Sequence, residues 1–238
     1  MAQDASGGAR LMDLDTLKRN AAATAVAMVE PGMLVGLGTG STTRHAIRLL
    51  GERQRGGLRF TGVPTSIASA RLAGSLGIPL VESPTATPID LTIDGADEIA
   101  EADLSLIKGM GGALLREKIV AVMSRRLVII GDETKLAVRL TGRVAVPVEI
   151  VTFGWESTRA RLEAFGCQPV LRCNAEGKAF RTDGGNFILN CKFDELPEPA
   201  ETERALAMVV GVVEVGLFIG LATTVLVATE AGVRRIDR

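Results

Sequence analysis

The stretch Ile89-Asp90-Leu91-Thr92-Ile93-Asp94-Gly95-Ala96-Asp97, followed by Lys108-Gly109-Met110-Gly111-Gly112-Ala113-Leu114-Leu115-Arg116-Glu117, decides how this chain is read. A short apolar run ending in a carboxylate and a glycine reads as a buried strand. It delivers Asp94 to the C-terminal edge, where open α/β sheets keep their ligand crevices. The second segment sets a lysine before a glycine run and an acid early in the helix that follows. A lysine can neutralise an oxyanion, and a carboxylate can move a proton. Taken singly, Glu117 has a plainer reading as a first-turn acid favoured by the helix dipole. The whole constellation is harder to explain as a solvated loop, which needs neither the glycines nor the strand-end placement.

Outward from this segment, strands alternate with helix-length patterns. Asp13 or Asp15 can cap a helix bearing Leu14, Leu17, Ala21, Ala25 and Met28 at helical spacing, which Pro31-Gly32 stops. A strand from Met33, a glycine loop, a helix over 42–50, a strand over 58–62, a helix after Pro64 and a strand over 78–81 follow. The Asp94 strand, a helix over 113–123 and a strand over 127–130 continue the alternation, which predicts a parallel sheet with helices on both faces. After Pro147 the pattern becomes strand 148–151, helix 156–165, strands 169–172 and 186–193, helix 201–209 and strand 212–218. A last strand over 224–229 returns to the first unit. The expected fold is therefore α/β: a Rossmann-like parallel sheet over residues 1–145 and 219–238, with a smaller α+β (ferredoxin-like) unit over 146–218.

Composition narrows the partners. At 238 residues the chain can bury a substantial core in one or two domains. The formal net charge is −1 and no Lys/Arg run exceeds a dipeptide, which argues against nucleic acid and anionic membrane as partners. The apolar stretch 205–228 resembles a membrane span, but Glu214 sits near its middle, and glycines and strand-period alternation break it up. No basic-then-apolar leader opens the sequence, so a cytoplasmic location is expected. Cys167, Cys173 and Cys191 are odd in number with no CxxC spacing, and read as reduced structural thiols. With His45 as the single histidine, a histidine-built metal site is excluded.

The loop Gly36-Leu37-Gly38-Thr39-Gly40-Ser41-Thr42 lets backbone N–H groups approach an anion at a helix start. A dinucleotide would also want an acid at the end of the next strand, but that strand ends Phe60-Thr61-Gly62-Val63. A sugar phosphate suits the loop better. Lys18 and Lys135 are ordinary surface lysines in isolation, although Lys135 follows the strand end Gly131-Asp132 and so faces the same sheet edge as Asp94 and Lys108.

These blocks resemble type A ribose-5-phosphate isomerase in order and spacing. So do Thr134-Lys135-Leu136, Pro147-Val148-Glu149-Ile150, Thr182-Asp183-Gly184-Gly185-Asn186 and the run Gly211 to Phe218. Residues 1–10 fall outside the resemblance and read as a flexible lead, and Met110 stands where that family usually has another glycine. The resemblance implies a cofactor-free aldose–ketose isomerase of the non-oxidative pentose phosphate pathway, interconverting D-ribose 5-phosphate and D-ribulose 5-phosphate through an enediolate. The residues themselves argue against a metal, since Asp94 and Asp97 alone would hold a hard cation loosely and Lys108 nearby would repel it. The resemblance also implies phosphate anchoring on Thr39, Gly40, Ser41 and Thr42 with Lys135 and Lys18. Asp94 and Asp97, with Gly95 and Ala96, would hold the sugar hydroxyls, and Asp94 would assist ring opening. Lys108 would steady the negative oxygen with N–H groups of Gly109 to Gly112, and Glu117 would carry the proton. It further implies a homo-oligomer, dimer or tetramer. Two other classes stay open: a coenzyme A transferase of related fold with Glu117 as nucleophile, and a non-catalytic sugar-phosphate sensor.

Overall fold

A computed structural model describes residues 13–81 and 87–238; the expected lead over 1–10 lies outside the described residues. Helix α1 (Leu14–Val26) starts at Asp13, whose carboxylate accepts the Thr16 N–H at 2.8 Å. Its buried Ala21, Ala22 and Ala25 present a small-residue face to the sheet. Strand β1 (Leu34–Leu37), α2 (Ser41–Arg55), β2 (Thr61–Pro64), α3 (Ile67–Ser75) and β3 (Leu91–Asp94) follow. Three very short pieces then bracket the next βα unit: β4 (Glu98–Ala100) and β5 (Leu106–Ile107) before α4 (Leu114–Val122) and β6 (Leu127–Asp132), and β7 (Leu136–Ala137) after it. The remainder is β8 (Val146–Ile150), α5 (Trp155–Glu163), β9 (Cys167–Leu171), β10 (Phe187–Phe193), α6 (Pro199–Ala207), β11 (Val212–Val215), β12 (Leu217–Phe218), β13 (Thr224–Thr229) and β14 (Gly232–Asp237).

The main sheet has the order β14-β13-β6-β3-β1-β2, parallel throughout except for β14 at one edge. Every residue of β3 and β6 is buried, as expected of strands covered on both faces. From β1 the chain moves outward to β2 and then crosses back to β3. The order therefore switches direction between β1 and β3, and a crevice opens beyond their C-terminal ends. This is the expected Rossmann-like arrangement.

The second sheet has the order β11-β8-β10-β9 and is antiparallel throughout. With α5 after β8 and α6 after β10, it is the βαββαβ pattern of a ferredoxin-like unit. Its core gathers Val148, Ile150, Leu162, Leu189, Cys191, Phe193 and Leu206.

Several expectations need correction. The stretch 78–81 is no strand; it touches β2 through a single Gly62–Leu80 bridge. The run 212–218 is two strands in two sheets: β11 pairs with β8, whereas β12 pairs with β5 in a third small sheet, β12-β5-β4-β7. The handover is at Gly216, which has no room for a side chain, since a Cβ would lie 2.3 Å from the Lys108 carbonyl oxygen. There Gly216 N–H donates to Pro147 O at 2.7 Å and Lys108 N–H donates to Gly216 O at 2.9 Å. The junction thus pins the backbone of Lys108. Within the apolar stretch 205–228, Glu214 meets Lys118 at 2.7 Å. Among the described residues no helix is long and apolar enough to cross a membrane.

Candidate active site

The cleft at the switch point is lined by the loop after β1, the turn after β3, the glycine loop before α4, and two lysines from outside these segments. Gly38 lets the β1 loop lie directly on Asp94: a Cβ there would sit 2.2 Å from Asp94 Oδ1. Thr39 is fastened from behind by a cluster of hydroxyls, with Oγ1 2.8 Å from both Thr65 Oγ1 and Ser66 Oγ and 3.2 Å from Ser69 Oγ. Helix α2 then starts at Gly40 without a side-chain cap, and Ser41, Thr42 and Thr43 face the cleft. Uncapped N–H groups at a helix start, with the helix dipole behind them, are an anion site. Lys18 on α1 and Lys135, in the turn Glu133–Lys135, line the same cleft and bring positive charge.

Opposite this cradle lies a buried charge cluster. Asp94 is 1% exposed, so the structure puts it beneath the cleft surface. Its Oδ1 accepts the N–H groups of Gly95 at 2.7 Å and Thr39 at 3.2 Å, and its Oδ2 lies 2.9 Å from Lys108 Nζ. Lys108 Nζ also donates to Gly95 O at 2.5 Å and lies 3.5 Å from Glu117 Oε2. Burial works against the Lys108 ammonium, but Asp94 and Glu117 beside it more than compensate and hold its pKa above the ordinary lysine value.

Glu117 has the opposite balance. It is 3% exposed, and Oε2 has no well-formed hydrogen bond among the described residues; Lys108 Nζ attracts it from 3.5 Å, at the outer limit of hydrogen-bond reach. Burial pushes its carboxyl up to about 8, Lys108 pulls it back, and Asp94 and Asp97 push it further. Asp97 is raised as well, first by burial, while the Met110 N–H at 2.9 Å and Lys108 draw it down.

Of the residues singled out in the sequence, Lys18, Thr39 to Thr42, Gly95, Ala96, Asp97, Lys108, Gly109, Gly111, Glu117 and Lys135 line one cleft. Met110 turns outward, half-exposed, and Asp94 lies one layer down. The departure at Met110 leaves the loop unstrained, because the left-handed positions fall on Gly109 (φ 111°) and Gly112 (φ 81°) and not on Met110. His45 has no part in the cleft and meets Asp15 at 3.1 Å. Sequence reasoning missed the hydroxyl cluster behind Thr39, the Thr43 wall and Arg172, whose guanidinium reaches the glycine loop from β9. A Thr65-Ser66 pair just past a strand was a faint local signal for the first; Arg172 gave none.

The chemistry open to such a cleft is narrow: hold an anion at one end and shift a proton at the other, next to a fixed ammonium. By fold and geometry the molecule is an acid–base isomerase of the open α/β class. Residues 61–232 match the family model of ribose 5-phosphate isomerase A (phosphoriboisomerase A). The chain is 53% identical over 222 residues to ribose-5-phosphate isomerase A of Gloeobacter violaceus, covering 93% of this chain and 96% of that protein. It is 48% identical to the Thermomicrobium roseum protein of the same name, over 95% of this chain and 96% of that one. Among solved structures, ribose 5-phosphate isomerase from Plasmodium falciparum superposes with a TM-score of 0.91 at 39% identity, over 94% of this chain and 99% of that one. A D-ribose-5-phosphate isomerase in complex with phospho-erythronic acid does so at 0.91 and 36%, over 95% of this chain and all of that one (100%). The chain belongs to the ribose 5-phosphate isomerase A family. These relatives favour neither the coenzyme A transferase nor the sensor alternative.

Proposed function

We propose that this aldose–ketose isomerase interconverts D-ribose 5-phosphate and D-ribulose 5-phosphate, with Glu117 as the proton carrier. The observation that carries the reading is the unmet, buried Oε2 of Glu117, 3.5 Å from the Lys108 ammonium. The phosphate sits on the uncapped start of α2 with Lys135 and Lys18, which places the carbonyl end of the open-chain sugar toward Lys108 and Glu117. The Glu117 carboxylate takes the proton from C2, and the electron pair moves onto O1, which becomes negative beside Lys108 Nζ. The hydroxyl proton passes from O2 to O1 across the cis-enediolate, and Glu117 returns its proton to C1, leaving the ketose. Asp97 holds the sugar hydroxyls. Asp94, one layer down, fixes Lys108 and acts on the sugar only through it. Preorganised donors of this kind are worth about 10²–10³ in rate each.

The division into a unit over 1–145 and 219–238 and a unit over 146–218 goes with this reading, since β8 to β11 form a sheet of their own. So does a cytoplasmic homo-oligomer, dimer or tetramer. The exposed Phe153, Met208 and Val210 leave apolar surface to cover, and size-exclusion chromatography with light scattering measures whether it is covered.

The activity is tested by incubating protein, exhaustively treated with EDTA, with ribose 5-phosphate in D₂O. Ketose forms, and its C1 carries solvent deuterium in part of the product. No ketose would end the reading. Ketose without deuterium at the shortest times would remove the solvent-exchanging base from it.

A further inference from the structure

Arg172 follows β9 in the antiparallel sheet, and its guanidinium leaves that sheet for the glycine loop of the neighbouring unit. Nη1 donates to Gly109 O at 2.8 Å and to Met110 O at 3.1 Å. Nη2 donates to Asn190 Oδ1 at 2.6 Å and lies 3.7 Å from the Met110 sulfur. The guanidinium carbon stands 5.9 Å from the centre of the Phe180 ring. The Arg172 main chain is tied on both sides, its N–H to Ile188 O at 2.9 Å and its carbonyl to the Phe180 N–H at 2.8 Å. Phe180 in turn presses on Gly112, where a Cβ would be 2.5 Å from the ring. A fork of rigid donors on a rigid stem therefore grips two successive peptide carbonyls.

What that grip fixes follows from peptide geometry. In a trans peptide the C=O and the next N–H point in opposite directions, so holding one aims the other. With Gly109 O held by Arg172, the Met110 N–H turns the other way and reaches Asp97 Oδ2 at 2.9 Å. With Met110 O held, the Gly111 N–H turns away from Arg172 as well. Gly111 lines the cleft with Lys108 and Glu117, and its N–H has no acceptor among the described residues.

We infer that Arg172 is a positioning residue for the isomerisation, holding the Gly109 and Met110 carbonyls so that the Gly111 N–H faces the oxygen that turns negative beside Lys108. The inference rests on the functional reading above. A lysine offers one nitrogen on a shorter stem, and so does not reproduce the two positions from which Nη1 meets both carbonyls and Nη2 meets Asn190. A donor that drifts by about 1 Å forfeits on the order of 10²-fold in rate.

Steady-state kinetics of Arg172→Lys and Arg172→Ala, with inorganic phosphate as a competing anion, tests it. For Arg172→Lys, kcat falls about 10- to 100-fold while KM and phosphate inhibition stay within about threefold of wild type. For Arg172→Ala, kcat falls further, and millimolar guanidinium, but not sodium at equal ionic strength, restores part of it. The inference is overturned if both variants keep kcat within about threefold of wild type. It is equally overturned if phosphate inhibition weakens as much as kcat, or if circular dichroism shows both variants unfolded, since Arg172 would then hold the fold and not the donor. Wild-type protein unable to isomerise ribose 5-phosphate would end the functional reading itself, and this inference with it; loss confined to the variants' expected pattern separates the two.

Discussion

Glu117 and Lys118 are neighbours on α4, both buried, and the fold treats their charges in opposite ways. Lys118 Nζ lies 2.7 Å from Glu203 Oε1 and 2.7 Å from Glu214 Oε1, so its charge is fully met by α6 and β11. Glu117 Oε2 has no hydrogen-bond partner among the described residues and only a long contact, 3.5 Å, with the Lys108 ammonium. Both environments border the Phe218 ring, with Lys108 Nζ 5.4 Å from its centre and Lys118 Nζ 5.0 Å away. A buried charge with a complete set of partners is a tie between elements. A buried carboxylate kept short of partners holds its proton into the neutral range, where a base can exchange it. One helix thus presents a reactive group and a structural anchor at successive positions.

Changes on the Glu117 side give the largest effects. Glu117→Gln keeps the shape and removes the basicity, so kcat should fall by roughly 10²–10³ or more while KM hardly moves. A variant keeping more than about a tenth of wild-type kcat would erase the contrast between the two positions. The pH profile comes next. Burial raises Glu117 to about 8 and the reaction needs it unprotonated, so kcat/KM should rise about tenfold per pH unit up to that region and then level. A rising limb centred near 4.5, the ordinary value, would mean the carboxylate is not held back by burial.

On the Lys118 side the expected loss is in stability. Lys118→Met strands Glu203 and Glu214, whose partial exposure limits the damage to about 1–3 kcal/mol of unfolding free energy, with kcat within about threefold of wild type. Urea titration paired with kinetics separates these. A large kcat loss with unchanged stability would put Lys118 on the reactive side. The smallest effect has the opposite sign. The raised Glu117 contributes stability that is complete below its unfolded pKa, near 4.5, and is lost as pH rises through about 8. Glu117→Gln lacks that loss, so its Tm should gain on wild type between pH 5 and pH 8, by about 2–4 °C for each 1 kcal/mol relieved. A Tm difference, variant minus wild type, that stays flat or falls over that range would contradict the raised Glu117.

Much of this was legible in the sequence because its signals are local. The Asp94 strand, the glycine loops and the lysine-glycine-glutamate order lie within one or two elements each, and periodicity brings them to one sheet edge. The third sheet was not legible, since strands such as Leu106–Ile107 and Leu136–Ala137 are too short to show a period of two. β14 gives no signal for another reason: it is a largely exposed edge strand in which Arg234-Arg235 interrupt any apolar alternation. Glu98 shows the same limit. It is fully buried and accepts the N–H groups of Thr141 and Val144, both at 3.2 Å, partners more than forty positions away. The role of Lys18 rests on family resemblance alone, whereas Lys135 has one local signal of its own, its place just after the strand end Gly131-Asp132.

The order of the main sheet also sets a schedule. β6 acquires its second neighbour, β13, only when residues 224–229 exist, although β6 itself is complete at residue 132. At roughly 5–20 residues per second, the ribosome leaves Leu127–Asp132, a strand buried along its whole length in the finished sheet, without that neighbour for about 5–20 s. During that interval the nascent chain carries an open pairing edge beside the strand that bears Asp94, and the ferredoxin-like unit emerges and can fold in the meantime. The β6–β13 pairing that completes the centre of the sheet is therefore a late event, possible only after the whole of the smaller unit has been made.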